Sequence, residues 1–215
     1  MRGQGIMSGP DFSSLRSAMV SNQLRTNKVT DAAVLAAMAA VPRERFVGED
    51  QVGVAYRDTT VSLGAGRALN PPIATGRLLS VAQPQAGEKV LVIGSGTGYA
   101  AALLAEMGCA VTALEESQAL IARAQVPTAE GSLAAGWPAD APYSLIYIDG
   151  AVERIPDAIV DQLAEGGRLV GALNERGVTR LIVGRRVAGG FGLDAFADVE
   201  TALLPGFAPA PAFTF

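Results

Sequence analysis

The chain has 215 residues, 49% of them hydrophobic and 18% charged, enough to bury a sizeable core within one or two domains. A formal net charge of −4, with Lys28 and Lys89 as the only lysines, argues against a phosphate-tracking surface, because nucleic-acid affinity draws mostly on clustered Lys and Arg. With no histidine and a single cysteine, Cys109, neither an internal disulfide nor the usual metal-ligand spacings can be built.

The first ten residues, MRGQGIMSGP, are polar and Gly-rich, lack the apolar stretch of a secretory signal, and are predicted to be disordered. Arg, Glu, Asp, Gly or Pro interrupts every apolar run well before membrane-spanning length, so a cytoplasmic protein without membrane contact is expected. Ser13 or Ser14 can cap a helix carrying Leu15, Met19, Val20 and Leu24 on one face. Thr30 opens a second helix, with Val34, Leu35, Met38 and Val41 at helical spacing and Pro42 closing it. AYRDTTVSLGAGRALNPP reads as extended loops, and IATGRLLSVAQ resumes a helix.

After Gly87 strands and helices alternate: KVLVI, AAALLAEMG, AVTALE, SQALIARAQ, YSLIYID, IPDAIVDQLAEGG and RLVGAL. Such alternation gives a parallel sheet covered on both faces. TRLIVGRRVAGGFGLDAFADVE holds two strand-like runs around a hairpin turn, and the Pro-rich tail LLPGFAPAPAFTF is expected to wrap over the surface.

The stretch KVLVIGSGTGYAAALLAEMGCAVTALEE carries the chemistry. A dinucleotide site spaces its glycines Gly-x-Gly-x-x-Gly, but here Gly94, Gly96 and Gly98 alternate and Tyr99 stands where the third glycine would. The backbone passes close beneath a ligand without being shaped around a diphosphate, which suits S-adenosylmethionine better. Glu115 lies 21 residues past Gly94, where a carboxylate accepts both ribose hydroxyls of an adenosine. Strand alternation points Glu116 to the other face. Tyr99 is read as packing on the helix after the loop, with lining the cofactor pocket as the alternative, and Cys109 as a small buried residue.

These residues and their surroundings resemble the protein-L-isoaspartate O-methyltransferase family. RSAMVSNQLRTNKVTDAAVLAAMAAVPRERFV is similar to its helical N-terminal region, VSLGAGRALNPP to its substrate loop, VLVIGSGTGYAAALLAEM to its cofactor loop, and APYSLIYIDGAVERIPDAIVDQLAEGGRLVGAL to its fourth and fifth strands. The resemblance runs from about Leu15 to Phe207. It implies a doubly wound, Rossmann-like α/β fold of class I S-adenosylmethionine-dependent methyltransferases, with a seven-stranded sheet, an antiparallel C-terminal hairpin and a helical N-terminal extension. It also implies one methyltransferase domain over 11–215, with N-terminal helices and substrate loop in 11–72 and the cofactor-binding core in 73–215. The implied cofactor is S-adenosyl-L-methionine, leaving as S-adenosyl-L-homocysteine. The implied partners are isoaspartyl-containing proteins or peptides, methylated by a monomer as a step in protein repair.

Residue by residue, the resemblance assigns Gly94, Ser95, Gly96, Glu115 and Glu130 to the cofactor; Glu130 replaces the aspartate of the family's Gly-Asp-Gly beside the adenine. Leu63, Gly64 and Gly66 keep the glycine frame of the substrate loop. The family continues there with Gln-Thr-Ile-Ser-Gln-Pro, where this chain has Arg67, Ala68, Leu69, Asn70, Pro71 and Pro72. Asn70 thus stands for the catalytically important serine, and Arg67 could orient a carboxylate, although a solvent-facing arginine is the commoner outcome on such a loop. Val92 replaces an acid that faces the methionine end of the cofactor, and Asp149, Gly150 and Ala151 replace Thr-Ala-Ala after the fourth strand. The segment between Glu115 and Glu130 is shorter than usual, which predicts a trimmed third helix.

Methyl transfer from a sulfonium to a carboxylate is an in-line displacement on a group already ionised at neutral pH, so no general base is required and a chain without histidine can perform it. An amine or phenol acceptor would need a proton acceptor, and Asp149 at the end of a central strand is the best placed; the alternative for Asp149 is a cap on the loop before Ile155. The expectation is a carboxyl methyltransferase of isoaspartyl type, its activity weak or redirected. The rivals are a binding protein that has lost transfer, a methyltransferase on a different acceptor, and a nicotinamide-dependent oxidoreductase.

Overall fold

The computed structural model describes residues 11–188 and 190–208. The predicted disordered start and the far end of the Pro-rich tail lie outside them. Helix α1 (Phe12–Ala18) begins at Asp11, whose carboxylate accepts the amides of Ser13 and Ser14 at 3.1 and 3.2 Å, so an aspartate and not the predicted serine is the cap. The helical path continues through a π turn (Met19–Leu24) and a 3-10 turn (Arg25–Asn27) to Lys28 at φ 66°. Likewise Asp31, not Thr30, caps α2 (Ala32–Ala40), accepting the amides of Ala33 and Val34 at 2.9 and 3.1 Å.

The predicted loop before α3 is an antiparallel hairpin, β1 (Val61–Gly64) and β2 (Arg67–Leu69), turning through Gly64, Ala65 and Gly66 at φ 82°, 53° and 70°. Helix α3 (Pro72–Ala82) starts on Pro72, whose missing N–H costs nothing at the first helical position. The division between 72 and 73 therefore falls at the first residue of a helix.

The main sheet has seven strands in the order β5-β4-β3-β6-β7-β8-β9: β3 (Lys89–Ile93), β4 (Ala110–Glu115), β5 (Thr128–Glu130), β6 (Tyr143–Val152), β7 (Leu163–Glu175), β8 (Val178–Val187) and β9 (Gly190–Asp198). Strands β5 to β7 are parallel, and β8 and β9 add antiparallel, giving the doubly wound sheet with its C-terminal hairpin. Each central strand alternates between two buried faces. Val90, Val92, Leu145 and Tyr147 join a core with α2, α3 and α4 (Tyr99–Glu106), while Leu91, Ile93, Ile146 and Ile148 join a second core.

That second core is thinly covered by helix. The run SQALIARAQ yields only α5 (Gln118–Ile121), the trimmed helix that the short segment predicts, and IPDAIVDQLAEGG yields only α6 (Asp157–Val160). Beyond α6 the chain is already extended: Leu163 pairs with Tyr143, and β7 bends through Gly166 at φ 74° before rejoining the ladder at Arg168. The C-terminal segment supplies what the short helices do not. Leu204 and Phe207 are 4% and 0% exposed within this core while Leu203, Pro205, Gly206 and Ala208 are exposed, so the described part of the predicted surface strap is anchored by two buried side chains.

Candidate functional site

Strand β3 is the topological switch point: the chain winds through β4 and β5 on one side and through β6 and β7 on the other. Ligands of open α/β sheets bind outside the carboxyl ends of the strands at such a point. Here β3 ends at Ile93, and the chain turns through Gly94, Gly96 and Gly98 at φ 75°, 58° and 98° into α4. The Leu114 carbonyl accepts the Gly94 and Ser95 amides at 2.9 and 3.0 Å, tying the loop to β4. Tyr99 is buried on the inner face of α4, edge-on to Phe46 and beneath the Arg43 guanidinium, which is the packed position read from sequence.

Glu115 ends β4 and is wholly buried. Its Oε2 accepts the Gly96 amide at 2.8 Å, and its Oε1 accepts the Glu116 and Ser117 amides at 3.0 and 3.1 Å. The fourth donor is Arg67, whose Nη1 lies 2.7 Å from Oε1 while its Nη2 donates to the Gly94 carbonyl at 2.9 Å. Arg67 is therefore not solvent-facing, and its guanidinium is engaged by Glu115 and the Gly94 carbonyl. The β1–β2 hairpin lies over the glycine loop and drives this side chain inward to 5% exposure, where a buried carboxylate needs a paired charge. Gly64 and Gly66 stay exposed at the hairpin tip, and Glu116 is exposed as alternation requires. Glu130 is the register partner of Glu115 on β5, but its side chain is at the surface, accepting from Gln118 at 3.0 Å.

Asn70 and Asp149 come together at the end of β6. Asn70 Nδ2 donates to Asp149 Oδ1 at 2.7 Å, and Asn70 Oδ1 accepts the Ala202 amide at 2.9 Å. Asp149 is thus a member of the buried cluster and not a cap on the loop before Ile155. Burial pushes its carboxyl up to about 6; the Asn70 hydrogen bond and the positive charges of Arg67 and Arg43 hold it down, and the Glu115 charge adds to the rise. Arg43, at 0% exposure, donates to the carbonyls of Ala55 and Asn70, both at 2.6 Å, and its desolvation lowers its pKa.

Arg43 and Leu204 carry no local pattern that marks them as neighbours of this site. Arg43 belongs to the VPRERFV run, whose specificity was the available signal. Leu204 had only its place in an apolar pair at the head of a Pro-rich tail.

The residues of this site have the composition for S-adenosylmethionine, and in this arrangement Arg67 and Leu204 lie against the glycine loop and Glu115. A Cβ on Gly94 would lie 2.9 Å from both Leu204 methyls and 3.1 Å from Arg67 Nη2; one on Gly96 would lie 3.0 Å from Leu63, and one on Gly150 2.7 Å from Leu204 Cγ. The approach to the loop is thus taken by the chain's own side chains, and the whole stretch 94–98 is buried. Glu115 has no exposed surface in this arrangement, and Arg67 lies against its Oε1. Val92, in place of an acid, is fully buried in the first core. Among the described residues no cluster of acidic, Cys or His side chains could hold a metal ion.

Comparison with known proteins gives one answer. The family profile named Protein-L-isoaspartate(D-aspartate) O-methyltransferase matches residues 14–191. The protein-L-isoaspartate O-methyltransferase of Methylorubrum extorquens is 41% identical over 75% of this chain and 75% of its own, and that of Gloeobacter violaceus 41% over 71% and 79%. Among solved structures, a protein-L-isoaspartate O-methyltransferase superposes with TM-score 0.78 at 20% identity over 91% of this chain, which spans 66% of that one. A Plasmodium falciparum protein described as a putative member, in complex with S-adenosyl-L-homocysteine, gives TM-score 0.71 at 20% identity over 90% and 98%. The chain belongs to the protein-L-isoaspartate(D-aspartate) O-methyltransferase family.

Proposed function

We propose that this chain is an S-adenosylmethionine-dependent carboxyl methyltransferase acting on isoaspartyl residues in proteins or peptides, the activity for which its relatives are named. The observation that carries the reading is Glu115, held by the Gly96 amide at the end of β4, with the Asn70–Asp149 pair at the end of β6 beside it. An open cleft of about 510 Å³ between the β1–β2 hairpin and residues 200–203, with Arg67 in its wall, is the acceptor entrance in this reading. The carboxyl of the acceptor needs no base. Asp149, with its pKa raised towards neutrality, also supports a second reading in which it takes a proton from an amine or hydroxyl acceptor.

Within the same reading the protein works as a cytoplasmic monomer without nucleic acid. The net charge of −4 supports the part of this reading that concerns nucleic acid, and no helix among the described residues is long and apolar enough to cross a membrane. The experiment is transfer of radiolabelled methyl groups to an isoaspartyl peptide, with the matching aspartyl peptide as control. Base-labile label on the isoaspartyl peptide alone supports the reading, label on neither rejects it, and base-stable label turns it to the other acceptor class.

A further inference from the structure

We propose that Arg67 and Leu204 form a latch that closes the nucleoside site of the free protein, and that the latch must swing outward before S-adenosylmethionine or S-adenosylhomocysteine binds. This rests on the functional reading above and adds its regulation. Arg67 occupies both groups that a nucleoside would approach over this loop: the Glu115 carboxylate at 2.7 Å and the Gly94 carbonyl at 2.9 Å. Leu204 fills the gap between the carboxyl ends of β3 and β6, close to both Gly94 and Gly150.

The two parts move together. Arg67 and Leu69 are the ends of β2, and Asn70 follows directly, gripping the Ala202 amide at 2.9 Å. The Ala202 carbonyl accepts the Ala151 amide at 2.7 Å, and the Leu204 amide donates to the Ala151 carbonyl at 2.9 Å. The C-terminal segment is thereby pinned to the end of β6 on one side and to the hairpin on the other. Lifting β2 withdraws Arg67 and loosens the hold on residues 202–204.

Three features make the latch displaceable and not a permanent core. The cleft of about 510 Å³ lies on its outer side, bounded by Gly66, Arg67 and residues 200–203, and gives the side chains somewhere to go. Gly64 and Gly66 have no atom within 4 Å of a Cβ position, so no neighbouring element covers the hairpin tip. The closed form also holds Arg67 Nε, Ser95 Oγ and Thr201 Oγ1 buried without a protein hydrogen-bond partner, as it does Arg43 Nη1, Tyr99 OH and Tyr147 OH deeper in the core, and opening exposes the first three to ligand or water. The vicinal hydroxyls of a ribose can replace Arg67 as donors to Glu115, which ties opening to a nucleoside ligand.

The test uses the full chain, Arg67→Gln, which restores the residue of the resembling family at that place, and Leu204→Ala. Calorimetry measures affinity for S-adenosylhomocysteine, and amide hydrogen exchange without ligand follows residues 94–98 and 201–207. The latch predicts at least tenfold tighter binding by Arg67→Gln, tighter binding by Leu204→Ala, and at least tenfold faster exchange over both segments. Exchange equal to wild type in both variants overturns it, as does faster exchange with binding no tighter than a measurable wild-type value. If the variants exchange faster but neither they nor the wild type bind S-adenosylhomocysteine, the latch stands and the methyltransferase reading fails.

Discussion

Asn70 joins three parts of the molecule that are remote in sequence: its Nδ2 reaches Asp149 Oδ1 at 2.7 Å across 79 residues, and its Oδ1 holds the Ala202 amide at 2.9 Å across 132. A planar amide with a donor and an acceptor on separate atoms can serve both partners at once. A serine hydroxyl sits closer to the backbone and spans less. Asn70→Ser is therefore expected to destabilise the fold by about 1–3 kcal/mol, because a buried carboxylate or a buried amide loses its partner. Asn70→Ala should cost at least as much. Urea denaturation of the three proteins checks this, and a serine variant as stable as wild type would show that the bridge contributes nothing.

Asp149 makes the stability of the fold depend on pH. Its folded carboxyl titrates at about 6, above the ordinary 3.8, so the folded state binds the proton more tightly than the unfolded chain does. The group is neutral in sign below the ordinary value, and stability then falls as pH rises from about 4 to about 6 and stays lowered above that. Asp149→Asn keeps an oxygen that can accept from Asn70 and removes the buried charge. The variant is expected to be more stable than wild type at pH 8, by about 3 kcal/mol at most, with little of that gain left near pH 4. Thermal melts across that range read the difference directly; equal gain at both ends would assign it to packing and not to the charge.

Much of the architecture is legible from local pattern. The apolar run of β3, the alternate glycines, the acid ending β4 and the paired β8 and β9 report burial within a few residues of themselves, and each stands where that pattern places it. The length of helix after β6 is not legible, because Ile159 and Leu163 suit a helix face and a strand face equally until the pairing of Leu163 with Tyr143 decides. Neither is the latch. Arg67 and Glu115 are 48 residues apart, and an arginine on a Gly-rich turn reads as solvated unless the docking of the hairpin over the glycine loop is known. Asn70 and Asp149 were identified singly, but their direct contact needs β6 and the hairpin in place.

Gly150 offers a steric test of the C-terminal segment. A Cβ there would lie 2.6 Å from the Ala202 carbonyl oxygen and 2.7 Å from Leu204 Cγ, closer than real contacts allow. Gly150→Ala is expected to push residues 202–204 off β6 at a cost of about 1–3 kcal/mol, the usual range for overpacking. Faster amide exchange confined to that segment would mark the displacement, whereas uniform loss of protection would mean that the whole domain yields.

The remaining prediction lies at the opposite end of the sheet, where the chain enters β3. Arg168 Nη1 and Nη2 meet Glu88 Oε1 and Oε2 at 2.9 and 2.6 Å, a two-pronged pair. The same guanidinium donates to the carbonyls of Ala82 and Gln83, left open where α3 ends, and to Ser144 at the start of β6. One side chain thus closes a helix C-terminus and ties β3, β6 and β7 together. The Arg168 hydrogen bond holds the Glu88 carboxyl below its ordinary 4.5, with burial opposing the shift. A depressed carboxyl contributes stability above its unfolded value and loses it as pH falls through the folded one, the reverse of Asp149. The Glu88 side chain is 21% exposed, so solvent screens the pair, and Glu88→Gln is expected to cost about 1–2 kcal/mol at pH 7. That cost should vanish at acid pH, once the wild-type carboxyl is itself protonated. Arg168→Lys should be worse at every pH, because an ammonium cannot fork onto the carboxylate while also reaching three carbonyls. Denaturation midpoints of the two variants between pH 3 and pH 8 distinguish these patterns, and a Glu88→Gln cost that persists at pH 3 would place the contribution in shape rather than charge.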